Sequence, residues 1–258
     1  MACVENRMYV TVPVTALWTS ARAPRDIDGP AVAEQPDVEA WLALLDDAVP
    51  QGRLGLHGRV LTQLERGEPV LVLDRSEDGW AEVVCPWQPS SLDARGYPGW
   101  VPLSHLGAER PADAAAAPDH ATDGTATTPR VEGTFLEQAG RHVGLRYLWG
   151  GMSAEGLDCS GLVHRAMREL GVVVPRDADD QHDACEPVPL EQVRPGDLYF
   201  FAREGRRAHH VGIVTAPGRM LHAPENDGLG VILEQDLDAD RLATLAGAGR
   251  FPGAPHTS

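Results

Sequence analysis

The chain has 258 residues, 43% of them hydrophobic, with 22 basic against 38 acidic side chains and a net charge of −16. Its longest apolar runs fall short of the ~18 residues a membrane span needs, and the acidic surplus opposes encounter with nucleic acid, an anionic membrane surface or an anionic polymer. A small or zwitterionic ligand stays open. Met1 to Ser20 lacks the basic start and unbroken apolar stretch of a secretory signal. The expectation is a cytoplasmic protein, or a secreted one if a leader has been removed.

In chain order, Tyr9 to Val12 alternates and is β-branched, as a strand requires. Val38 to Val49 has apolar residues at helical spacing and reads as an inserted helix. Glu68–Leu73, Trp80–Val84 and Gly99–Pro102 follow Gly-bearing turns and read as short strands, which together predict a small all-β barrel over residues 8–106. Gly107 to Arg130 is small, polar and aperiodic and is expected to be a linker. Residues 131–253 read as a second, α+β domain. There Val131–Val143 is helix-like, and Asp158 is placed to cap a helix from Cys159 to about Leu170. Its stripe is Leu162, Val163, Ala166, Met167 and Leu170, and Gly171 stops it. Strand-like runs follow at 197–202, 210–215, 219–222 and 230–234.

The four cysteines, Cys3, Cys85, Cys159 and Cys185, form no C-x-x-C pair and no disulfide framework. Cys159 differs in its place. On the first turn of an amphipathic helix, exposed N–H groups and the positive end of the helix dipole favour a thiolate, which is the nucleophilic form. His210 opens a β-branched strand and His222 ends the next, so antiparallel pairing would set the two side by side. Nucleophile, base and a group orienting the base is the logic of a catalytic triad, with His210 taking the thiol proton and His222 fixing its tautomer. The other histidines show no such pattern. The acidic run Asp177 to Asp183 fits no closed calcium or zinc loop, so no metal and no cofactor is expected.

Tyr147-Leu148-Trp149-Gly150-Gly151, Asp158-Cys159-Ser160-Gly161-Leu162, Pro175-Arg176-Asp177 with Gln181, Arg194 to Leu198, His210-Val211-Gly212-Ile213 and Leu221-His222-Ala223 resemble, in order and spacing, the NlpC family of bacterial cell-wall cysteine peptidases. The resemblance spans about Glu132 to Leu237. It implies a papain-like α+β fold, a Cys159–His210–His222 triad, and Tyr147 beside the oxyanion site. In the first domain, Ala16-Leu17-Trp18, Leu61 to Leu64 with Gly67-Glu68, Asp78-Gly79-Trp80 and Gly96 to Val101 resemble the bacterial SH3-like domain of members that cut peptidoglycan stem peptides after γ-D-Glu. This implies an endopeptidase acting on L-Ala-γ-D-Glu-diamino acid during muropeptide turnover or recycling. Asp158, Ser160, Trp149 and Tyr97 are then the expected substrate contacts, Asp158 and Tyr97 for the L-Ala amine. Two positions depart from the pattern: Arg59 stands where a Glu is frequent, and Ala178 where a Ser is frequent. The alternative is an acyltransferase or amidase on the same fold, or a non-catalytic SH3-like peptide-binding protein.

Overall fold

The computed structural model describes residues 6–114, 133–226 and 229–252. Cys3, His120, His256 and most of the expected linker lie outside them. The described residues form two compact units: one holds those up to Ala114, with Leu148–Leu157 and the surroundings of Glu225, and the other holds the rest.

The first unit is built on β1 (Arg7–Val10), β2 (Val14–Trp18), β3 (Val60–Glu65), β4 (Pro69–Arg75), β5 (Trp80–Cys85), β6 (Tyr97–Pro102) and β7 (Leu106–Gly107). These pair antiparallel in the order β3-β2-β6-β5-β4-β1-β7 around a core that includes Val10, Leu17, Leu64, Val83, Tyr97 and Val101. β2 and β3 were not expected as strands. In β3 the polar pair Thr62 and Gln63 hides the alternation, yet both are buried because their side chains find partners, Gln88 for Thr62 and the Met152–Ser153 segment for Gln63. The Thr62 hydroxyl donates to Gln88 Oε1 at 2.7 Å, and Gln88 Nε2 donates to the Gln63 carbonyl at 2.8 Å.

Three helices fall between β2 and β3: α1 (Gly29–Val32), α2 (Val38–Asp47) and α3 (Gln51–Leu54). α2 is the inserted helix read from the sequence. Asp37 caps it by accepting the Ala40 N–H at 2.9 Å, and it buries Trp41, Leu42 and Leu45. The segment Leu148–Leu157, with its small hairpin β8 (Met152–Ser153) and β9 (Gly156–Leu157), belongs to this unit rather than the second. Gln63 Oε1 accepts both the Met152 N–H and the Ser153 hydroxyl, at 3.0 and 2.9 Å.

The second unit contains α4 (Phe135–Gly140), α5 (Cys159–Glu169), α6 (Ala178–Ala184) and α7 (Ala239–Thr244). Its sheet is formed by β10 (Glu186–Val188), β11 (Leu198–Ala202), β12 (Ala208–Ala216), β13 (Arg219–His222), β14 (Leu233–Asp236) and β15 (Leu245–Arg250), in the order β10-β15-β11-β12-β13-β14. α5 begins where the sequence places it, and its whole expected stripe is buried. The strand expected at 230–234 starts later, at Leu233. The preceding residues bond elsewhere: Gly230 accepts the Tyr147 N–H at 2.6 Å, and the Ile232 N–H donates to the Leu145 carbonyl at 2.8 Å. Among the described residues, no helix is long and apolar enough to cross a membrane.

Candidate active site

The start of α5 is held by an ionic clamp. Asp158 caps the helix, its Oδ1 accepting the Gly161 N–H at 2.6 Å. The same carboxylate meets Arg176 in a two-pronged pair, with Nη1 at 3.0 Å from Oδ1 and Nη2 at 2.7 Å from Oδ2. Arg176 is fully enclosed and also donates to the Ser160 hydroxyl at 2.9 Å. Gln181 Nε2 donates to the Ser160 and Pro175 carbonyls at 3.0 and 2.9 Å. The Pro-Arg-Asp run and Gln181, motif members without a stated task in the sequence, therefore fix the first turn that carries Cys159.

Cys159 is buried as the first residue of α5. Burial, and then the Asp158 charge, push its thiol up to about 12. Hydrogen bonds from the Val211 and Ser160 backbone and the Arg176 charge pull the other way without prevailing. Burial thus works against the preformed thiolate expected at this helix start, and favours the neutral thiol. Cys185 is raised to about 12 by burial as well, and burial, then the Glu68 charge, raises Cys85 well above its ordinary value.

His210 Nε2 lies 2.8 Å from His222 Nδ1, and the rings meet edge to face with centroids 5.1 Å apart. The register explains the meeting. Ile213 pairs with Leu221, which carries Gly212 across from His222 and puts His210 on the same face two residues away. A side chain at Gly212 would intrude: its Cβ would fall 2.4 Å from Met220 Sδ and 3.3 Å from His222 Cβ. Burial and then Arg241 lower His210 well below the usual histidine value, and the same two causes bring His222 to about 4. Both rings are therefore neutral near pH 7, and a neutral His210 is a base able to accept a proton. His209 is exposed, as the alternation of strand faces requires.

The remaining expected site residues are placed as follows. Ser160 is buried within the clamp. Tyr147 is buried in the second unit, its N–H on Gly230. Trp149 belongs to the first unit; its indole N–H donates to the Val60 carbonyl at 2.9 Å, and the His57 ring covers it at 3.9 Å. Tyr97 opens β6 and is buried in the barrel core. Arg59 spends one guanidinium nitrogen on the Ala23 carbonyl at 2.9 Å. Carboxylate oxygens of Asp177, Asp179 and Asp180 cluster within 4.8 Å of one another. Arg207 already answers that charge, pairing with Asp179, Asp180 and Asp183 at 2.6, 3.1 and 3.0 Å.

Comparison with known proteins bears on the same residues. Residues 144–237 match the NlpC/P60 family model, and residues 56–106 match that of the bacterial dipeptidyl-peptidase SH3 domain. A γ-D-glutamyl-L-lysine dipeptidyl-peptidase of Bacillus subtilis (strain 168) is 31% identical, over 84% of this chain and 90% of its own length. A protein of the same name from Bacillus cereus (strain ATCC 10987 / NRS 248) is 26% identical, over 85% and 84%. The crystal structure of an NlpC/P60 family protein from Bacillus cereus ATCC 10987 superposes with a TM-score of 0.80 at 22% identity, covering 95% of this chain and 99% of that one. The shared fold is α+β with an N-terminal all-β SH3-like region.

Proposed function

The chain belongs to the NlpC/P60 family of peptidases, and from that premise we propose that it hydrolyses the bond after γ-D-Glu in peptidoglycan stem peptides through Cys159, His210 and His222. The observation that carries this reading is the bond between His210 Nε2 and His222 Nδ1, on the strand whose next residue, Val211, hydrogen-bonds the Cys159 sulfur. Two relatives matched over most of both lengths are named γ-D-glutamyl-L-lysine dipeptidyl-peptidases, which supports L-Ala-γ-D-Glu-L-Lys, or its diaminopimelate counterpart, as substrate.

The thiol and the imidazole start neutral, so the nucleophile is made during attack rather than beforehand. As sulfur closes on the γ-carbonyl carbon, His210 takes the thiol proton through Nδ1, while His222 accepts the hydrogen bond from Nε2–H and stabilises the imidazolium. The Cys159 backbone N–H and the Tyr147 hydroxyl are the proposed oxyanion donors. The imidazolium then protonates the leaving amine of the diamino acid. Water, deprotonated by His210, opens the thioester and frees L-Ala-γ-D-Glu. Substrate contacts at Asp158 and Ser160 belong to the same proposal, in addition to their hold on Arg176.

The test is incubation of the purified chain with L-Ala-γ-D-Glu-L-Lys and chromatographic detection of L-Ala-γ-D-Glu. Release by the natural chain, none by Cys159→Ala, and a larger loss of kcat for His210→Ala than for His222→Ala are expected. Absence of the dipeptide, or its undiminished release by Cys159→Ala, overturns the reading.

A further inference from the structure

The hydrogen-bond relay at the histidines has one end unaccounted for. His222 Nδ1 is taken by His210, and the ring is fully enclosed. No hydrogen bond of good geometry reaches its Nε2 from the described residues, although the Gln235 side chain stands near enough to act on the ring. For His210 to act as a base at Nδ1, its own proton must sit on Nε2 and be donated to His222 Nδ1. The His222 proton must then sit on Nε2, a buried donor in need of an acceptor.

The strands around it narrow the choice. His222 pairs with Leu233 and Met220 with Gln235, so Gln235 is the diagonal neighbour of His222 on the same face of the sheet, within reach of a long side chain. Glu234 points to the other face, where it is taken by Thr215 and Arg219. Two charged groups, Asp238 at the cap of α7 and Arg241 within it, also bear on His222. Arg241 is a donor only, and Asp238 uses a carboxylate oxygen to cap α7 at the Arg241 N–H, 2.8 Å away. Gln235 is half-buried, neutral and carries a carbonyl. Its side chain raises the His222 pKa, against the lowering by burial and by Arg241, as an acceptor of the ring N–H does.

We propose that Gln235 is a positioning residue of this site, its side-chain carbonyl accepting the Nε2–H of His222 and thereby fixing the tautomer that leaves His210 a bare Nδ1 for Cys159. Gln235 touches no reacting atom. It acts through two rings, and its loss leaves both neutral rings free to exchange into the form in which His210 Nδ1 carries the proton. The kinetic part of this inference rests on the proposed peptidase reading; the tautomer part does not.

The experiment pairs 15N-edited imidazole spectra of the full chain at neutral pH with kinetics on L-Ala-γ-D-Glu-L-Lys, for the natural chain, Gln235→Leu and Gln235→Glu. The natural chain is expected to show His222 protonated at Nε2 alone. Gln235→Leu is expected to show mixed tautomers and a kcat lower by about tenfold, equivalent to ~1.4 kcal/mol, with KM within twofold. Gln235→Glu, which keeps an acceptor, is expected to restore the single tautomer and most of kcat. His222 protonated at Nδ1 in the natural chain overturns the proposal, whatever the variants do. So does a Gln235→Leu variant with unchanged tautomer, even if its kcat falls, since that fall would be structural. A natural chain that shows the expected tautomer and no hydrolysis would sink the peptidase reading and leave the assignment of Gln235 standing.

Discussion

Cys159 lies between opposed influences: backbone donors from Ser160 and Val211 with the Arg176 charge on one side, burial and Asp158 on the other. Burial wins, and the consequence is visible without any substrate. Alkylation requires the thiolate, so iodoacetamide should label Cys159 slowly near pH 7.5, with a rate still climbing beyond pH 9. Mass spectrometry of quenched samples across that range checks this. A fast rate already level at pH 6 would mean a preformed thiolate–imidazolium pair. Arg241 offers a second handle on the same chemistry. After burial it is the largest influence lowering His210 and His222, and it sits 5.5 Å from the Phe201 ring that packs on His210. Arg241→Gln removes that charge and lets both histidines rise, so more of His210 is protonated at a given pH. The acid limb of the kcat/KM profile should therefore move to higher pH, and an unmoved limb would exclude Arg241 from setting it.

At the scale of elements, the pairing of β12 with β13 is what makes two sequence-distant histidines into one unit, and Gly212 is the condition for it. Gly212→Ala places a methyl against Met220 and His222, an overpacking that costs about 1–3 kcal/mol in a filled core. Met220 is flexible and can yield; His222 is held by its bond to His210 and moves only by breaking it. The variant should thus lose at least tenfold in kcat while its melting temperature falls by only a few degrees, measured by peptide assay and circular dichroism. Full activity would show that the rings meet without needing this glycine. α5 and β12 were legible in the sequence because each carries its own local signals: the Asp158 cap with a 3.6-residue stripe, and a β-branched run behind His210. β15 was not, because Leu245-Ala246-Gly247-Ala248-Gly249-Arg250 has little strand propensity, and only its place between β10 and β11 makes it a strand. There Gly249 is needed small, since a Cβ would lie 2.7 Å from that of Cys185. α6 was missed because its polar sequence shows no stripe; Arg207, just before β12, draws its three aspartates together. The grip of Arg176 on Asp158 is likewise invisible locally: the motif marked both residues, and only the fold joins them.

For the whole molecule, the charge states buried in the second unit set a limit on the acid side. His164 lies on α5 outside the apolar stripe, so the sequence placed it no differently from a surface histidine, yet it is fully enclosed. Burial, then the charges of Arg168 and Arg176, lower it to about 3, against the pull of the nearby Pro175 and Val174 carbonyls. With His222 at about 4 and His210 also well below its ordinary value, three histidines stay neutral in the folded chain where the unfolded chain protonates them from about pH 6.5 downward. The unfolded state then binds more protons, so stability is complete above pH 6.5 and falls as pH drops toward 4. Each such group contributes a slope of up to about 1.4 kcal/mol per pH unit. Three together approach roughly 4 kcal/mol per unit, which over one to two units rivals the ~5–15 kcal/mol that holds a typical domain folded. Asp28 and Glu169, whose pKa values lie below the ordinary carboxylate range despite burial, add to the loss at lower pH. The expected result is cooperative acid unfolding with a midpoint between about pH 4 and 5.5, followed by near-ultraviolet circular dichroism and tryptophan fluorescence. His164→Leu separates the histidine contribution from the carboxylates, because it removes one titrating ring while filling the same space with apolar atoms. Its midpoint should lie about half a unit lower than that of the natural chain, with stability at pH 7.5 held or raised. Equal midpoints would show that His164 is protonated in the folded chain after all, and that the acid limit is set by the ion pairs.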